Sequence, residues 1–242
     1  MASAVAAKLA NEDEAAGGIG SSLARYRDVA LTGEIGPCRL PIVFSWQKKT
    51  TDPEILKRIP PGQVLTEKFP VLHFGRAPDY PDLSRWDFRV WGEVESPFTL
   101  KWAEMRALPR QTVTLDIHCV TRWSKLDTTW EGVPFTHLAE VAELKPSARF
   151  VVFHSEYGYT ANVPLEVAMQ PDCLLAWSYA GQPLEAEHGY PLRAIVPGRY
   201  FWKSAKWVRG VEFSAEDQLG FWERNGYHNN ADPWREERYA GF

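Results

Sequence analysis

The chain has 242 residues, of which 45% are hydrophobic and 24% charged, and its formal net charge is −4. This size and composition are typical of a globular protein that buries a full core without disulfide or zinc support. The negative net charge and the lack of a nucleic-acid-binding motif argue against nucleic acid as a partner. Any site for an anion must therefore be built locally.

The three cysteines are far apart in sequence and form no CxxC pair, which argues against a structural zinc site or a disulfide framework. No stretch approaches the roughly 18 apolar residues of a transmembrane helix. The N-terminal segment also lacks the apolar region of a signal peptide. Because three unpaired thiols suit a reducing compartment, these features together predict a cytoplasmic protein without a membrane partner.

The first 65 residues differ in composition from the rest. Residues 1–36 are rich in Ala, Gly and Ser, and residues 37–65 contain several prolines. This composition predicts an N-terminal extension over residues 1–65 that is partly flexible. A compact domain is then expected over residues 66–242.

Short elements follow one another in this domain. Residues 86–94 alternate between apolar and polar side chains, which predicts a half-buried strand, and residues 96–105 are expected to begin a short helix. Residues 111–119 alternate again and place Cys119 on the apolar, inward face at the end of a strand. A helix is predicted over residues 134–144. Further short strands are predicted over residues 150–153, 174–179, 192–196 and 207–213, so the pattern indicates a mixed α+β domain.

Cys119 is followed by a polar and cationic turn. A nearby cation such as Arg122 lowers the pKa of a thiol, and the thiolate is the form that binds metals. A lone cysteine on an apolar strand face is nevertheless more often a small core residue, so both interpretations remain open from the residues alone. His118 has the opposite parity, so a local His–Cys chelate is not expected.

Residues 189–210 contain five cations and no acid. Such a segment suits a phosphate or another compact anion, because arginine makes bidentate contacts, lysine supplies a point charge and turns free backbone amides. A solvated basic face and contact with nucleic acid are the alternative interpretations. Motifs of zinc proteases, serine hydrolases, P-loop proteins and dinucleotide-binding proteins are absent.

These features occur in one order along the chain. The strand-ending Cys119 is followed by HGYPLRAIVPG at residues 188–198 and by KSAKW at residues 203–207. Together with WDFRVWG at residues 86–92, this order resembles the molybdopterin-binding domain of the sulfite oxidase family over about residues 69–238. The resemblance implies a mixed-sheet α+β fold of the sulfite oxidase type and a molybdenum-molybdopterin cofactor, which would carry the redox chemistry.

The resemblance also implies roles for individual residues. Cys119 is the expected metal ligand, and Arg122 is expected to stabilise an anionic substrate, although an exposed turn arginine explains Arg122 equally well. The expected cofactor-binding residues are His73, Ser155, His188, Arg193, Phe201, Trp202, Lys203 and Lys206. A soft thiolate suits a metal that already has dithiolene ligands. The polar and aromatic segment 222–234 is expected to cap the substrate entrance.

The implied activity is oxidation of sulfite, or of a similar small oxyanion, to sulfate, with electrons passed to an external electron-transfer partner. The turn after Cys119 differs from the arginine-rich turn of vertebrate-type sulfite oxidases. A sulfoxide reductase of the same fold, acting on a sulfoxide substrate, is therefore the first alternative. A non-redox module that binds an anion or phosphoryl ligand, and a family member without activity, are further alternatives.

Overall fold

Two β-sheets carry the residues singled out above. A computed structural model describes residues 47–48 and 50–241, so the predictions for residues 1–46 lie outside the described residues. The strands are β1 (Gln47–Lys48), β2 (Val64–Thr66), β3 (Asp87–Gly92), β4 (Phe98–Lys101), β5 (Gln111–His118), β6 (Trp123–Pro134), β7 (Phe150–Ser155), β8 (Thr160–Pro164), β9 (Leu174–Tyr179), β10 (Gln182–Pro183), β11 (Arg193–Ile195) and β12 (Val208–Ser214). The helices are α1 (Pro53–Leu56), α2 (Trp102–Ala107), α3 (Phe135–Ala142), α4 (Leu165–Ala168) and α5 (Phe221–Arg224).

The first sheet has seven strands in the described part of the chain. Its neighbours run β1-β2-β6-β9-β10, while β5 pairs with β6 and β11 pairs with β9. The second sheet has five strands in the order β4-β3-β12-β7-β8. The pairs β2–β6 and β3–β12 are parallel, and the other strand pairs are antiparallel. Mixed sheets with few short helices confirm the predicted α+β class.

The β5–β6 hairpin carries Cys119 at its tip, directly after β5. Val113, Ile117 and Trp130 are buried on the same side and belong to one core cluster with Cys119. Burying each such large apolar side chain contributes roughly 1.5–3 kcal/mol relative to exposure. The tip of this hairpin is therefore supported by a packed core, as the alternation of residues 111–119 predicted.

Two predictions of individual elements need correction. The helix expected over residues 96–105 is wrong for its first half, because Phe98 and Leu100 face inward from β4, which pairs with β3. The alternation of Phe98 and Leu100 was thus the stronger signal, and α2 begins only at Trp102. The long strand β6 was missed, because its sequence carries polar side chains at several inward and outward positions.

Part of the predicted N-terminal extension joins the first sheet. β2 pairs in parallel with β6, and β1 pairs with β2. Arg58 makes ion pairs of 2.6 Å to both Asp116 and Asp127, which fasten this stretch to the β5–β6 hairpin. The domain boundary at residue 65 stays a prediction. None of the helices in the described ranges has the length and hydrophobicity of a membrane span.

Candidate functional site

A tight turn fixes the backbone of Cys119. The amide of Arg122 donates to the carbonyl of Cys119 at 3.0 Å, and the amide of Cys119 donates to the carbonyl of Trp123 at 2.8 Å. Arg122 adopts a left-handed conformation with φ 73°. The turn is also held from outside, because the side-chain amide of Gln63 donates to the carbonyl of Cys119 at 3.0 Å and the amide of Val64 donates to that of Arg122 at 2.9 Å.

The Cys119 sulfur is buried at this turn. Its Sγ lies 3.1 Å from the hydroxyl Oγ1 of Thr121. Burial raises the pKa of the Cys119 thiol, and this effect is opposed by hydrogen bonds from the side chain and the backbone of Thr121 and by the positive charges of Arg238 and Lys206. These three groups favour the thiolate. The site therefore supplies one soft ligand in a cationic environment. This suits a metal whose remaining ligands come from a cofactor.

Arg238 is a candidate functional residue that the sequence analysis missed. Its side chain is 7% exposed, and Nη1 donates to the carbonyl of Val120 at 2.6 Å, in the Cys119 turn. Its Nε and Nη2 have no hydrogen-bond partner among the described residues. The guanidinium lies 4.9 Å from the ring centroid of Tyr200. The predicted cap over residues 222–234 pointed to this part of the chain, but the cation itself lies four residues further on.

Arg122 and Arg238 converge over Gly62. A Cβ atom at Gly62 would lie 3.1 Å from Nη1 of Arg122 and 3.5 Å from Nη2 of Arg238. The neighbouring carboxylate is Glu236, whose side chain is 47% exposed and lies 3.7 Å from Nη2 of Arg238. The same Cβ would lie 2.6 Å from Oε1 of Glu236, so two guanidinium groups and one half-exposed carboxylate meet at Gly62, beside the Cys119 turn. Arg122 itself is exposed, and its position is compatible both with a contact to an anionic substrate and with an exposed turn arginine.

His188 lies at a second part of the site. Its ring stacks on Phe69 with centroids 4.0 Å apart and an interplanar angle of 11°, and its Nδ1 has no hydrogen-bond partner in the described chain. His188, Phe69 and Tyr179 help to line a cavity of about 270 Å³. Burial, with help from the charges of Lys206 and Arg193, lowers the pKa of His188 to about 4. A neutral ring with a free nitrogen beside an aromatic-lined cavity suits a flat heterocycle.

Arg193 is fully buried and carries an uncompensated charge. Its Nη1 donates to the carbonyl of His188 at 2.8 Å, and its Nη2 donates to that of Ser204 at 2.9 Å. The guanidinium lies 4.3 Å from the ring centroid of Phe201, and the acceptors of its hydrogen bonds in the described chain are all backbone carbonyls. Burial lowers the pKa of Arg193 to about 9. Such a cation is stabilised when an anion binds nearby.

The two predicted lysines have different surroundings. The Lys203 ammonium contacts Glu223 at 2.6 Å and both oxygens of Asn162 at 2.8 and 3.1 Å, so all three of its hydrogens have acceptors within the fold. Lys206 donates to the carbonyls of Leu72 at 3.0 Å and Glu187 at 2.6 Å and keeps one hydrogen for another acceptor. Burial, with the charge of Arg193, lowers the pKa of Lys206 to about 7. The geometry therefore favours Lys206 over Lys203 as a direct contact to an anion.

The remaining predicted residues occupy varied positions. The hydroxyl of Ser155 is buried without a hydrogen-bond partner in the described chain. Phe201 packs beside Phe69. Trp202 is buried, and its indole nitrogen donates a hydrogen bond of 2.8 Å to Glu223. His73 is exposed, with Nδ1 3.1 Å from the carbonyl of Gly75. The cofactor-binding roles assigned to these residues stay predictions.

His118 does not join the sulfur of Cys119 in a chelate. Its ring is buried, and Nδ1 lies 2.8 Å from the hydroxyl of Ser124 on the neighbouring strand. Burial lowers its pKa to about 4. Within the described ranges, no group of three or more His, Cys, Asp or Glu side chains could hold a metal ion. A metal at Cys119 would therefore depend on ligands from a cofactor.

Comparisons with known proteins fit this arrangement. Residues 74–222 match the family described as the oxidoreductase molybdopterin binding domain. The chain is 47% identical over 192 residues to the uncharacterized oxidoreductase YuiH of Bacillus subtilis, which covers 79% of this chain and 97% of that protein. It is 28% identical over 170 residues to MsrP of Campylobacter jejuni, the catalytic subunit of a protein-methionine-sulfoxide reductase, covering 61% of this chain and 57% of that protein.

Two further similarities are to a second reductase subunit and to a solved structure. The chain is 28% identical over 179 residues to YedZ1 of Azospira oryzae, a putative protein-methionine-sulfoxide reductase subunit, covering 73% of this chain and 68% of that protein. The sulfane dehydrogenase SoxCD from Paracoccus pantotrophus has a TM-score of 0.53 and 24% identity over 58% of this chain and 40% of that chain. The second likeness concerns the fold alone.

Proposed function

This chain belongs to the oxidoreductase molybdopterin-binding domain family, of the sulfite oxidase-like type, and from that premise we propose that it oxidises sulfite or a similarly small oxyanion. It is a molybdopterin-dependent oxidoreductase, and its cofactor is the molybdenum-molybdopterin cofactor. When bound, this cofactor supplies the oxygen-atom transfer and the two-electron chemistry. Transfer of the electrons to an external partner and a cytoplasmic location are parts of the proposal.

The described residues fit this cofactor. Cys119 would bind the metal, and the uncompensated charges of Arg193 and Lys206 would bind the phosphate. The unpartnered Nδ1 of His188 and hydroxyl of Ser155 are buried polar atoms that a ligand would satisfy. A metal bound by a dithiolene needs one further soft ligand, and the phosphate of the cofactor needs positive charge. The described residues offer both, together with free hydrogen-bonding groups.

The arginine pair beside Cys119 supports an anionic substrate. Arg238 is buried, has Nε and Nη2 atoms without a hydrogen-bond partner in the described chain, and meets Arg122 and the half-exposed Glu236 at Gly62. A buried guanidinium with free donors gains most from an oxyanion, because charge-assisted hydrogen bonds are about twice as strong as neutral ones. A neutral sulfoxide would leave part of this charge uncompensated.

The proposed reaction is balanced as SO₃²⁻ + H₂O → SO₄²⁻ + 2H⁺ + 2e⁻, with both electrons passed to an external acceptor. In this reaction Arg238 and Arg122 bind the oxyanion beside Cys119 and offset its charge. The Cys119 turn holds the sulfur in one position through its backbone hydrogen bonds. Burial of Cys119 at 8% exposure limits access of water to the ligand.

The first experiment is analysis of metal and pterin in the full chain, purified from a host that makes the cofactor. Steady-state oxidation of sulfite is then measured with ferricyanide as the artificial acceptor. The proposal predicts a molybdenum content near one per chain and saturable sulfite oxidation. Protein that is loaded with molybdenum but does not turn over sulfite would contradict the proposed substrate.

Reduction of a sulfoxide is the second candidate, and its support is the similarity to two relatives named as subunits of protein-methionine-sulfoxide reductases. That reaction is R₂SO + 2H⁺ + 2e⁻ → R₂S + H₂O, with electrons from an external donor. It predicts oxidation of reduced benzyl viologen by methionine sulfoxide, with no competition by sulfate. Competition by sulfate is expected for an oxyanion site, because sulfate would occupy the arginine pair.

A further inference from the structure

The hydroxyl of Thr121 lies 3.1 Å from the Sγ of Cys119, two residues earlier in the same turn. In the described chain, no other side chain makes a hydrogen bond to this sulfur. A free thiol could either donate or accept this bond. A sulfur that binds a metal is a thiolate and can only accept, so the Thr121 hydroxyl must then be the donor.

The backbone keeps this donor in place. Bonds from Arg122 to the Cys119 carbonyl and from Cys119 to the Trp123 carbonyl close the turn around Thr121. Gln63 binds the same Cys119 carbonyl from a separate segment of the chain. Thr121 therefore cannot withdraw its hydroxyl by a backbone movement without breaking several hydrogen bonds.

The surroundings make this hydrogen bond effective. Cys119 is 8% exposed, and a hydrogen bond in a poorly hydrated interior is electrostatically stronger than in water. Arg238 and Lys206 also act on the sulfur, but only through their charge. A charge has no preferred direction, whereas a hydrogen bond does, and the Thr121 hydroxyl lies 3.1 Å from the sulfur.

We propose that Thr121 is a positioning residue that orients the Cys119 sulfur and raises the reduction potential of the metal bound to it. The proposal rests on the proposed function, because it requires Cys119 to be the metal ligand. A hydrogen bond to a thiolate withdraws electron density from the sulfur, and the sulfur then donates less to the metal. The less electron-rich metal accepts electrons more readily, which favours oxidation of a substrate.

The test compares Thr121→Val with wild-type protein as full-length, cofactor-loaded enzyme. Valine keeps the branched shape and removes the hydroxyl. Molybdenum content is measured first, and the Mo(VI/V) midpoint potential is then obtained from a redox titration followed by electron paramagnetic resonance. We expect normal metal content, a midpoint shifted to more negative potential and a changed resonance spectrum.

Two variants serve as controls. Thr121→Ser restores a hydroxyl and should return the midpoint towards that of the wild type. Thr114→Val removes an exposed hydroxyl of β5 that bonds Thr129 at 3.0 Å, and it should leave the midpoint unchanged. A merely structural effect of Thr121→Val would lower metal content or stability without a midpoint shift that serine reverses.

Loaded Thr121→Val protein with the wild-type midpoint and spectrum would overturn the proposal. If valine prevents metal loading, Thr121→Ala decides, since it adds no bulk. Should both be unloaded while Thr121→Ser is loaded, the hydroxyl serves cofactor insertion and the proposed effect on the potential is overturned. An unchanged midpoint potential refutes only the role of Thr121. Loaded wild-type protein that does not oxidise sulfite refutes only the proposed substrate. Wild-type protein without molybdenum refutes both the proposed function and the role of Thr121.

Discussion

Lys203 and Glu223 form a buried ion pair of 2.6 Å, and each side chain is 1% exposed. Glu223 also accepts a hydrogen bond from the indole of Trp202, and Lys203 binds both oxygens of Asn162. The pair therefore joins the acid-free segment 189–210 to α5, and the contacts of Lys203 to Asn162 join it to β8. Removing one partner of such a pair leaves the other charge buried and unpaired.

Glu223→Ala is expected to lower the free energy of unfolding by about 3–5 kcal/mol, because the Lys203 ammonium loses its carboxylate. Urea denaturation of purified protein measures this change. Glu54→Ala is the control, because Glu54 pairs with Lys57 at the surface, where such a pair contributes roughly 0–1 kcal/mol. Equal effects of the two variants would show that the buried pair has no special importance.

Cys119→Ser is expected to abolish turnover while pterin remains in the protein, because Arg193 and Lys206 are unchanged. Metal and pterin analysis with the sulfite assay measures both effects. Cys173→Ala is the matched control, since Cys173 is a buried cysteine outside the turn. That variant should remain active at a cost of about 1 kcal/mol in stability. Normal turnover by Cys119→Ser would refute its role as the metal ligand.

Arg238→Gln is expected to raise the KM for sulfite about 10- to 100-fold, because a hydrogen bond to a charged group contributes roughly 1.5–3 kcal/mol. Arg235→Gln is the control from the same segment, since the Arg235 side chain is 72% exposed. Arg238→Lys should fall between, because lysine keeps the charge but loses the planar group. A KM unchanged in Arg238→Gln would separate this arginine from substrate binding.

The stability of the protein is expected to fall as the pH decreases from about 6.5 to about 4, in part because of His188. The folded-state pKa of His188 is about 4, and its unfolded value is near 6.5, so the unfolded chain binds the proton first. The contribution is absent above pH 6.5 and reaches up to about 3 kcal/mol of destabilisation near pH 4, at 1.36 kcal/mol per pKa unit. Because His188→Gln lacks this contribution, the difference between its unfolding free energy and that of the wild type should change by up to about 3 kcal/mol between pH 7 and pH 4. Parallel curves would contradict the depressed pKa.

Local pattern was sufficient to predict some of the site. The alternation of residues 111–119 placed Cys119 correctly at the inward end of a strand. The acid-free segment also contained the buried Arg193 and the half-buried Lys206. In both cases the relevant partners are close in sequence or consist of backbone.

Long-range contacts explain what the sequence did not reveal. Lys203 and Lys206 look equivalent in KSAKW, but the partners of Lys203, Glu223 and Asn162, lie 20 and 41 residues away. Arg238 stands among alternating charges, and nothing local distinguishes it from a solvated surface arginine. Its burial depends on Tyr200, which lies beneath it, and on the distant Cys119 turn.

The two sides of the site come from different parts of the chain. Apart from the metal ligand Cys119 and the cavity residue Phe69, the residues that suit the cofactor lie between Ser155 and Lys206, whereas Arg122 and Arg238 meet beside Gly62. Substitutions at Gly62 or Arg238 are therefore expected to change the selectivity for the substrate while the contacts to the cofactor stay intact. Relatives that share the cofactor-binding residues and differ at Gly62 and Arg238 are expected to share redox chemistry but not substrates.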